Sequence, residues 1–217
     1  MPALARAAAA LVRPSLRLTA RPAGCTRRHC LSTVAQHHPH IQEVLLPKQA
    51  IEARVNELGR QIAADYADKR PVVIGTLKGA VVFMADLVRA MEPPPPGLEL
   101  EFVRASSYGA ATVSSGKVDL SMVGPTDIKG RHVLLVEDIV DSGCTAVALL
   151  EHFATAGAAS VKLVSLLSKP ERRTVTCEPH YLGFPVEDKF VVGYGLDYAE
   201  QYRSLPYIGV LKPECYA

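Results

Sequence analysis

This chain of 217 residues has no apolar run approaching the ~20 residues of a membrane-spanning helix, no Cys-x-x-Cys pair, and no acidic residue before Glu43. The first absence predicts a chain that does not enter a membrane. The second argues against a disulfide framework or a zinc site, because Cys25 and Cys30 fall in the first segment and Cys144, Cys177 and Cys215 stand far apart. The third sets the start of the chain apart from everything after it.

Residues 1–36 are alanine-rich and carry Arg6, Arg13, Arg17, Arg21, Arg27 and Arg28. Arginine without acid resembles an organellar transit peptide. Arg28-His29-Cys30-Leu31-Ser32 looks like a mitochondrial processing site, which places the expected mature N-terminus between Leu31 and Ala35. The expected destination is the mitochondrion; the alternatives are the plastid, or the cytoplasm if the leader is not functional. A basic tail for nucleic acid is the other reading of this composition. Without the six arginines the rest of the chain holds 18 basic against 22 acidic residues, a formal charge of about −4, so the body gives no support for nucleic-acid binding. With 48% hydrophobic and 21% charged residues, one globular domain with a full core is expected over residues 37–217. His37, His38 and His40 read as a flexible entry segment rather than a metal site.

The stretch Val133 to Thr145, VLLVEDIVDSGCT, organises the rest. A Leu/Val run of this kind reads as a strand buried on both faces, hence part of a parallel sheet. The carboxyl end of such a strand is where open α/β sheets bind ligands. Ser142, Gly143 and Thr145 can turn successive backbone N–H groups toward one point at a helix N-terminus, a place suited to phosphate. Glu137 and Asp138 would repel a phosphate, so they must face hydroxyl groups or a metal ion.

The flanking segments repeat the alternation of strand and helix. Ile51, Val55, Leu58, Ile62 and Tyr66 recur at helical spacing from Lys48 to Tyr66. A strand at Val72–Ile74 then runs through the turn Leu77-Lys78-Gly79 into a second helix, with Val81, Met84, Val88 and Met91 expected on one face and the Pro93–Pro96 run ending it. Leu98–Val103 reads as a strand with Glu99 and Glu101 on its polar face, followed by a long Ser/Gly-rich loop over about 105–130. After the central stretch comes a helix that Gly157 ends in a left-handed conformation. A strand from Val161 to Leu167 then leads to Ser168-Lys169-Pro170.

VEDIVDSGCT resembles the phosphoribosyl-pyrophosphate (PRPP) motif of the type I phosphoribosyltransferases, and DKFVVGYGLDYAEQYRSLPYIGVLKPE resembles the C-terminal region of the hypoxanthine-guanine members. The likeness runs from about His40 to the end. HHPHI and LPYIGVLKPE bring it nearest to the plant and algal type, with Cys144 standing where many relatives carry lysine or another long residue.

The resemblance implies an α/β fold with a central, mainly parallel sheet flanked by helices, and a small hood built from the N- and C-terminal segments. It implies purine salvage: transfer of ribose 5-phosphate from PRPP to N9 of hypoxanthine or guanine. A xanthine-preferring or broad 6-oxopurine enzyme and a nucleotide-binding regulator are the alternatives. By the same resemblance Asp141 handles the purine N7 proton, and Asp141, Ser142, Gly143, Cys144 and Thr145 take the 5-phosphate. Glu137 and Asp138 face the ribose and metal, and Leu77, Lys78, Gly79 and Arg203 hold pyrophosphate, with a non-proline cis peptide expected at Leu77–Lys78. Ser107 and Tyr108 ride on a mobile flap over about 105–130, and Lys169, Lys189, Phe190 and Val191 receive the purine. Asp197, with Glu137 and Asp138, serves one or two Mg²⁺ ions. A homodimer or homotetramer is implied as well. Read on its own chemistry, Cys144 at a helix N-terminus is either a thiol of depressed pKa open to oxidation or a small buried filler.

Overall fold

The computed structural model describes residues 37–107, 118–122 and 127–216. The expected leader, its expected processing site and Tyr108 of the expected flap lie outside the described residues.

The alternation seen in the sequence becomes β1 (Ile41–Leu46), α1 (Lys48–Asp65), β2 (Pro71–Leu77), α2 (Val81–Ala90), β3 (Glu99–Ser107), β4 (Val118–Met122), β5 (His132–Val140), α3 (Cys144–Thr155), β6 (Ser160–Ser168), β7 (Tyr181–Pro185), β8 (Val191–Val192) and β9 (Ile208–Leu211). Six strands form one sheet in the order β4-β3-β2-β5-β6-β7. Every neighbouring pair in it is parallel except β3 with β4. The period-two alternation of the strands divides the core into two layers. Val73, Leu134, Val136, Val164 and Leu166 pack against α1 and α2. Val72, Ile74, Val133, Leu135 and Leu163 pack against Ala146, Leu149 and Phe153 of α3. β1, β8 and β9 make a second, antiparallel sheet in the order β1-β9-β8, drawn from the two ends of the chain.

Helix α1 buries Ile51, Val55, Leu58 and Ile62 as its spacing predicts. Helix α2 departs from expectation: Phe83, Met84 and Leu87 are its buried residues, whereas Val81 is 39% exposed. Most positions of VVFMADLVRA are apolar, so the period alone does not single out the inward face. Gly157 sits at φ +89°, ending the α3 turn in the left-handed region.

Two further expectations are corrected. The 105–130 region is not one loop, because β3 continues to Ser107 and β4 pairs back antiparallel, matching Val103 with Met122. Ladder pairing uses backbone groups, so Ser and Thr side chains do not prevent it. The histidine entry segment packs rather than dangling: His38 N donates to the Tyr207 hydroxyl at 2.9 Å, and His40 Nδ1 lies 2.8 Å from the Tyr202 hydroxyl.

α1 and α2 approach most closely at Gly59, where an added Cβ would lie 2.5 Å from Ala90 Cβ and 2.6 Å from its carbonyl carbon. Backbone on the far side cannot yield easily. Gly59→Ala should therefore destabilise the fold by about 1–3 kcal/mol despite alanine's better helix propensity, as urea unfolding would measure.

Candidate active site

The last paired residues of β2 and β5 are Gly75 and Val136. Beyond them the two strands part, since β2 leads to α2 and then β3 on one side, while β5 leads to α3 and then β6 on the other. A reversal of this kind opens a crevice at the carboxyl ends of the strands. Thr76, Leu77, Lys78 and Gly79 form one wall; Glu137, Asp138 and the turn from Asp141 to Thr145 form the other.

The walls are in tight contact at their base. A Cβ on Gly79 would fall 1.6 Å from Asp138 Oδ2, and one on Gly195 would fall 2.1 Å from the Gly79 carbonyl oxygen. Gly79 is thus held between the β5 acid and the chain that follows β8. The Leu77–Lys78 peptide is cis, as the resemblance implied.

Polar groups in this crevice lack partners. Thr76 Oγ1, Glu137 Oε1 and Arg203 Nε are buried without a hydrogen bond, together with Tyr66 and Arg131 atoms elsewhere among the described residues. Buried polar atoms are normally satisfied, so such a group of orphans points to a polar ligand. Burial, and then Asp138 beside it, push the Glu137 carboxyl up to about 8, with the Thr76 hydroxyl opposing them. Asp138 is also raised by burial, against the Ile139 backbone amide that donates to its Oδ1 at 2.8 Å. Arg203 and Asp197 both act on Asp138, the first lowering and the second raising its pKa, which brings the crevice acids and one basic side chain together. Among the described residues no three His, Cys, Asp or Glu side chains gather as a metal-binding group.

The turn after β5 frames a cavity of about 160 Å³, lined by Glu137, Asp141, Ser142, Gly143 and Thr145 among others. Gly143 sits at φ +89° as the N-cap of α3, a conformation that favours glycine, and brings no side chain of its own to the turn, while the Cys144 amide donates to the Ser142 hydroxyl at 3.4 Å. The α3 amide end therefore faces the cavity with its dipole available to an anion. Arg173, a residue the sequence reading passed over, clamps this turn. Its Nη1 donates to the Val140 and Asp141 carbonyls, Nε to the Cys177 carbonyl at 2.9 Å, and Nη2 to Ser168 Oγ at 2.8 Å.

Lys78 and Arg203, the expected anion holders, are paired with nearby acids. Lys78 Nζ lies 2.9 Å from Glu200 Oε2, and Arg203 Nη2 lies 2.8 Å from Asp197 Oδ1. The Lys78–Glu200 pair is exposed and contributes about 0–1 kcal/mol, so an arriving anion can exchange it at small cost, whereas the Arg203–Asp197 pair is only about a quarter exposed. Asp197 Oδ2 also accepts from the Glu200 amide.

Lys169 is 8% exposed at the end of β6; its amide donates to the Val140 carbonyl at 3.0 Å and its Nζ reaches Asp188 Oδ1 at 3.2 Å. Phe190 is stacked on Tyr216, ring centroids 4.6 Å apart at 18°, with Tyr198 edge-on at 5.5 Å. One Phe190 face is thus already covered, by a residue the sequence reading passed over. Val191 is buried and pairs with Val210. The Lys189 side chain turns to Glu43 and Glu187, and its amide donates to the Glu187 carbonyl. Ser107 ends β3 at the same edge of the sheet.

The phosphoribosyl transferase domain family matches residues 42–199. The hypoxanthine-guanine phosphoribosyltransferase of Bacillus subtilis is 48% identical over 176 residues, 81% of this chain and 96% of that one. The bifunctional protein TilS/HprT of Listeria innocua is 48% identical over 180 residues; this chain spans only about a quarter of that protein, 27% of its length. The solved structure of a hypoxanthine phosphoribosyltransferase from Staphylococcus aureus superposes with a TM-score of 0.77 at 40% identity, covering 82% of this chain and 95% of that one.

Cys144, the first residue of α3, is exposed, and hydrogen bonds from Thr174 first and Ser142 second hold its thiol below the usual range. Burial pushes Cys177 the other way. Iodoacetamide should therefore alkylate Cys144 before Cys177, with the rate at Cys144 rising at lower pH than for a free thiol such as N-acetylcysteine. Thr174→Val should move that rise back up, as peptide mapping across a pH series would record.

Proposed function

We infer, from the fact that this chain belongs to the phosphoribosyl transferase domain family, that it transfers 5-phosphoribosyl from PRPP to N9 of hypoxanthine or guanine. The products are IMP or GMP and pyrophosphate, and the role is purine salvage. The observation that carries this reading is the placement of a carboxylate and a nearly buried ammonium at the ends of adjacent strands. Asp141 follows β5 and Lys169 follows β6, joined through the Lys169 amide and the Val140 carbonyl.

Each residue then has a task. The α3 amide end and Ser142 to Thr145 hold the 5-phosphate. Lys78 and Arg203 take the pyrophosphate oxygens in exchange for Glu200 and Asp197, with the Leu77–Gly79 backbone beside them. Glu137 and Asp138 face the ribose hydroxyls, which supply the partners that Glu137 Oε1 lacks. Asp141 accepts the N7 proton as N9 attacks and offsets positive charge developing on the sugar. Lys169 donates to the purine O6, so adenine, with an amino group there, leaves two donors face to face. Phe190, backed by Tyr216, gives the ring a stacking surface beside Lys189 and Val191. Ser107 and Tyr108 belong to the flap that keeps water from the reacting centre.

Magnesium fits the donor set. A Mg²⁺ carried by pyrophosphate needs only one or two carboxylates from protein, and Asp197, Asp138 and the unpartnered Glu137 Oε1 are the groups to hold one or two ions, directly or through water. Held there, such an ion would supply neutralising charge to the pyrophosphate leaving group. The segments HHPHI and LPYIGVLKPE and the arginine-rich start support a plant or algal member imported into mitochondria with cleavage just before a residue between Leu31 and Ala35, and the family resemblance implies a homodimer or homotetramer. A xanthine-preferring enzyme is the second reading, because no residue above addresses the purine 2-position.

Initial rates with hypoxanthine, guanine, xanthine and adenine at fixed PRPP and magnesium test this reading. Hypoxanthine and guanine should be used and adenine refused, and Asp141→Ala should lower kcat by about 10²–10⁴-fold with a smaller change in PRPP affinity. Adenine turnover, or an unchanged kcat in Asp141→Ala, would overturn it. N-terminal sequencing of organelle-purified protein should begin between Leu31 and Ala35; a start at Pro2 or Ala3 removes the leader assignment.

A further inference from the structure

Asp141 and Lys169 are not independent in this structure. Arg172 Nε donates to Asp141 Oδ1 at 2.6 Å, Arg172 Nη1 lies 3.2 Å from Asp188 Oδ2, and Asp188 Oδ1 lies 3.2 Å from Lys169 Nζ. The result is an unbroken row of alternating sign, Asp141, Arg172, Asp188, Lys169, assembled from the segments that follow β5, β6 and β7. Lys169 is the anchored end, its side chain only 10% exposed, while the other three are about half exposed. Asp188 is held below the usual carboxylate range by hydrogen bonds from Lys169 and then Arg172.

In a 6-oxopurine, N7 and O6 lie side by side on one edge of the ring system. A carboxylate facing N7 and an ammonium facing O6 must therefore keep a fixed spacing. Neither Asp141, on a turn, nor Lys169, on a four-carbon stem, has that spacing from its own backbone. The row supplies it. Arg172 occupies one oxygen of Asp141, which fixes the carboxylate plane and leaves the second oxygen for N7–H. Asp188 restrains the Lys169 stem by one oxygen while its other oxygen aligns the guanidinium fork.

We propose that Arg172 and Asp188 are positioning residues that set the distance and orientation between Asp141 and Lys169, so that the N7/O6 edge of the purine is read as one unit. The inference rests on the purine-transfer reading given above. Had the row been mere surface decoration, its loss would alter little, because isolated exposed ion pairs contribute little.

The experiment compares wild type with Arg172→Met, Arg172→Lys, Asp188→Asn and the Met/Asn double variant, using hypoxanthine, PRPP and, as competitor, 7-deazahypoxanthine, in which CH replaces N7. Arg172→Met should lower kcat/KM for hypoxanthine by about 10- to 100-fold, the loss that small misplacement of a reacting group produces, with the PRPP KM held within about twofold. The preference of wild type for hypoxanthine over the 7-deaza competitor should shrink in parallel. Arg172→Lys keeps the charge without the fork and should recover part of the loss, and the double variant should be no worse than the poorer single one. Wild-type kinetics in Arg172→Met, or equal losses toward hypoxanthine and PRPP, would overturn the positioning role. A wild type that does not use hypoxanthine would instead overturn the purine-transfer reading itself.

Discussion

The structure depends on the contact that holds Gly79 between Asp138 and Gly195. Three segments far apart in the chain meet there at distances that no side chain could share. The contact fixes where the turn after β2 stands relative to the end of β5, and it ties both to the aromatic stretch after β8. The crevice opened by the parting of β2 and β5 would otherwise be free to widen. With the contact in place, the turn after β2, the crevice acids and the segment carrying Asp197 and Arg203 form one frame.

Within that frame the charges are arranged against their own comfort. Glu137 is buried with an oxygen unbonded, Asp138 is half-buried beside it, and Arg203 Nε has no partner. None of this stabilises the fold. A site that receives a highly charged, hydroxyl-rich substrate has to keep polar atoms unpaired until it arrives, and the two hydrophobic layers on either side of the sheet supply the stability that permits it.

Much of this was legible in the amino acids. The α1 face, the left-handed end at Gly157, the buried strand β5 and the turn from Asp141 to Thr145 all follow from short-range pattern, and short-range pattern is what a sequence displays directly. The inward face of α2 was hidden because most of its residues are apolar. β4 was hidden because its five residues, VDLSM, lie inside a Ser/Gly-rich stretch. Arg172, Arg173, Asp188 and Tyr216 were passed over for another reason. Each matters through a partner brought close by folding, such as Arg172 to Asp141 across 31 positions, and single polar residues in a loop carry no periodic signature.

The hood draws on both ends of the chain: β1 at 41–46 pairs with β9 at 208–211, and Phe190 stacks on Tyr216. The strand at 41–46 therefore has no partner until residues 208–211 have been made. Contacts of such long sequence separation form late, after the central sheet has gathered. Assembly of the surface around Phe190 is thus a closing event in the life of each new molecule, and a ribosome that stops before Ile208 leaves a chain with its main sheet whole but its first strand unpaired.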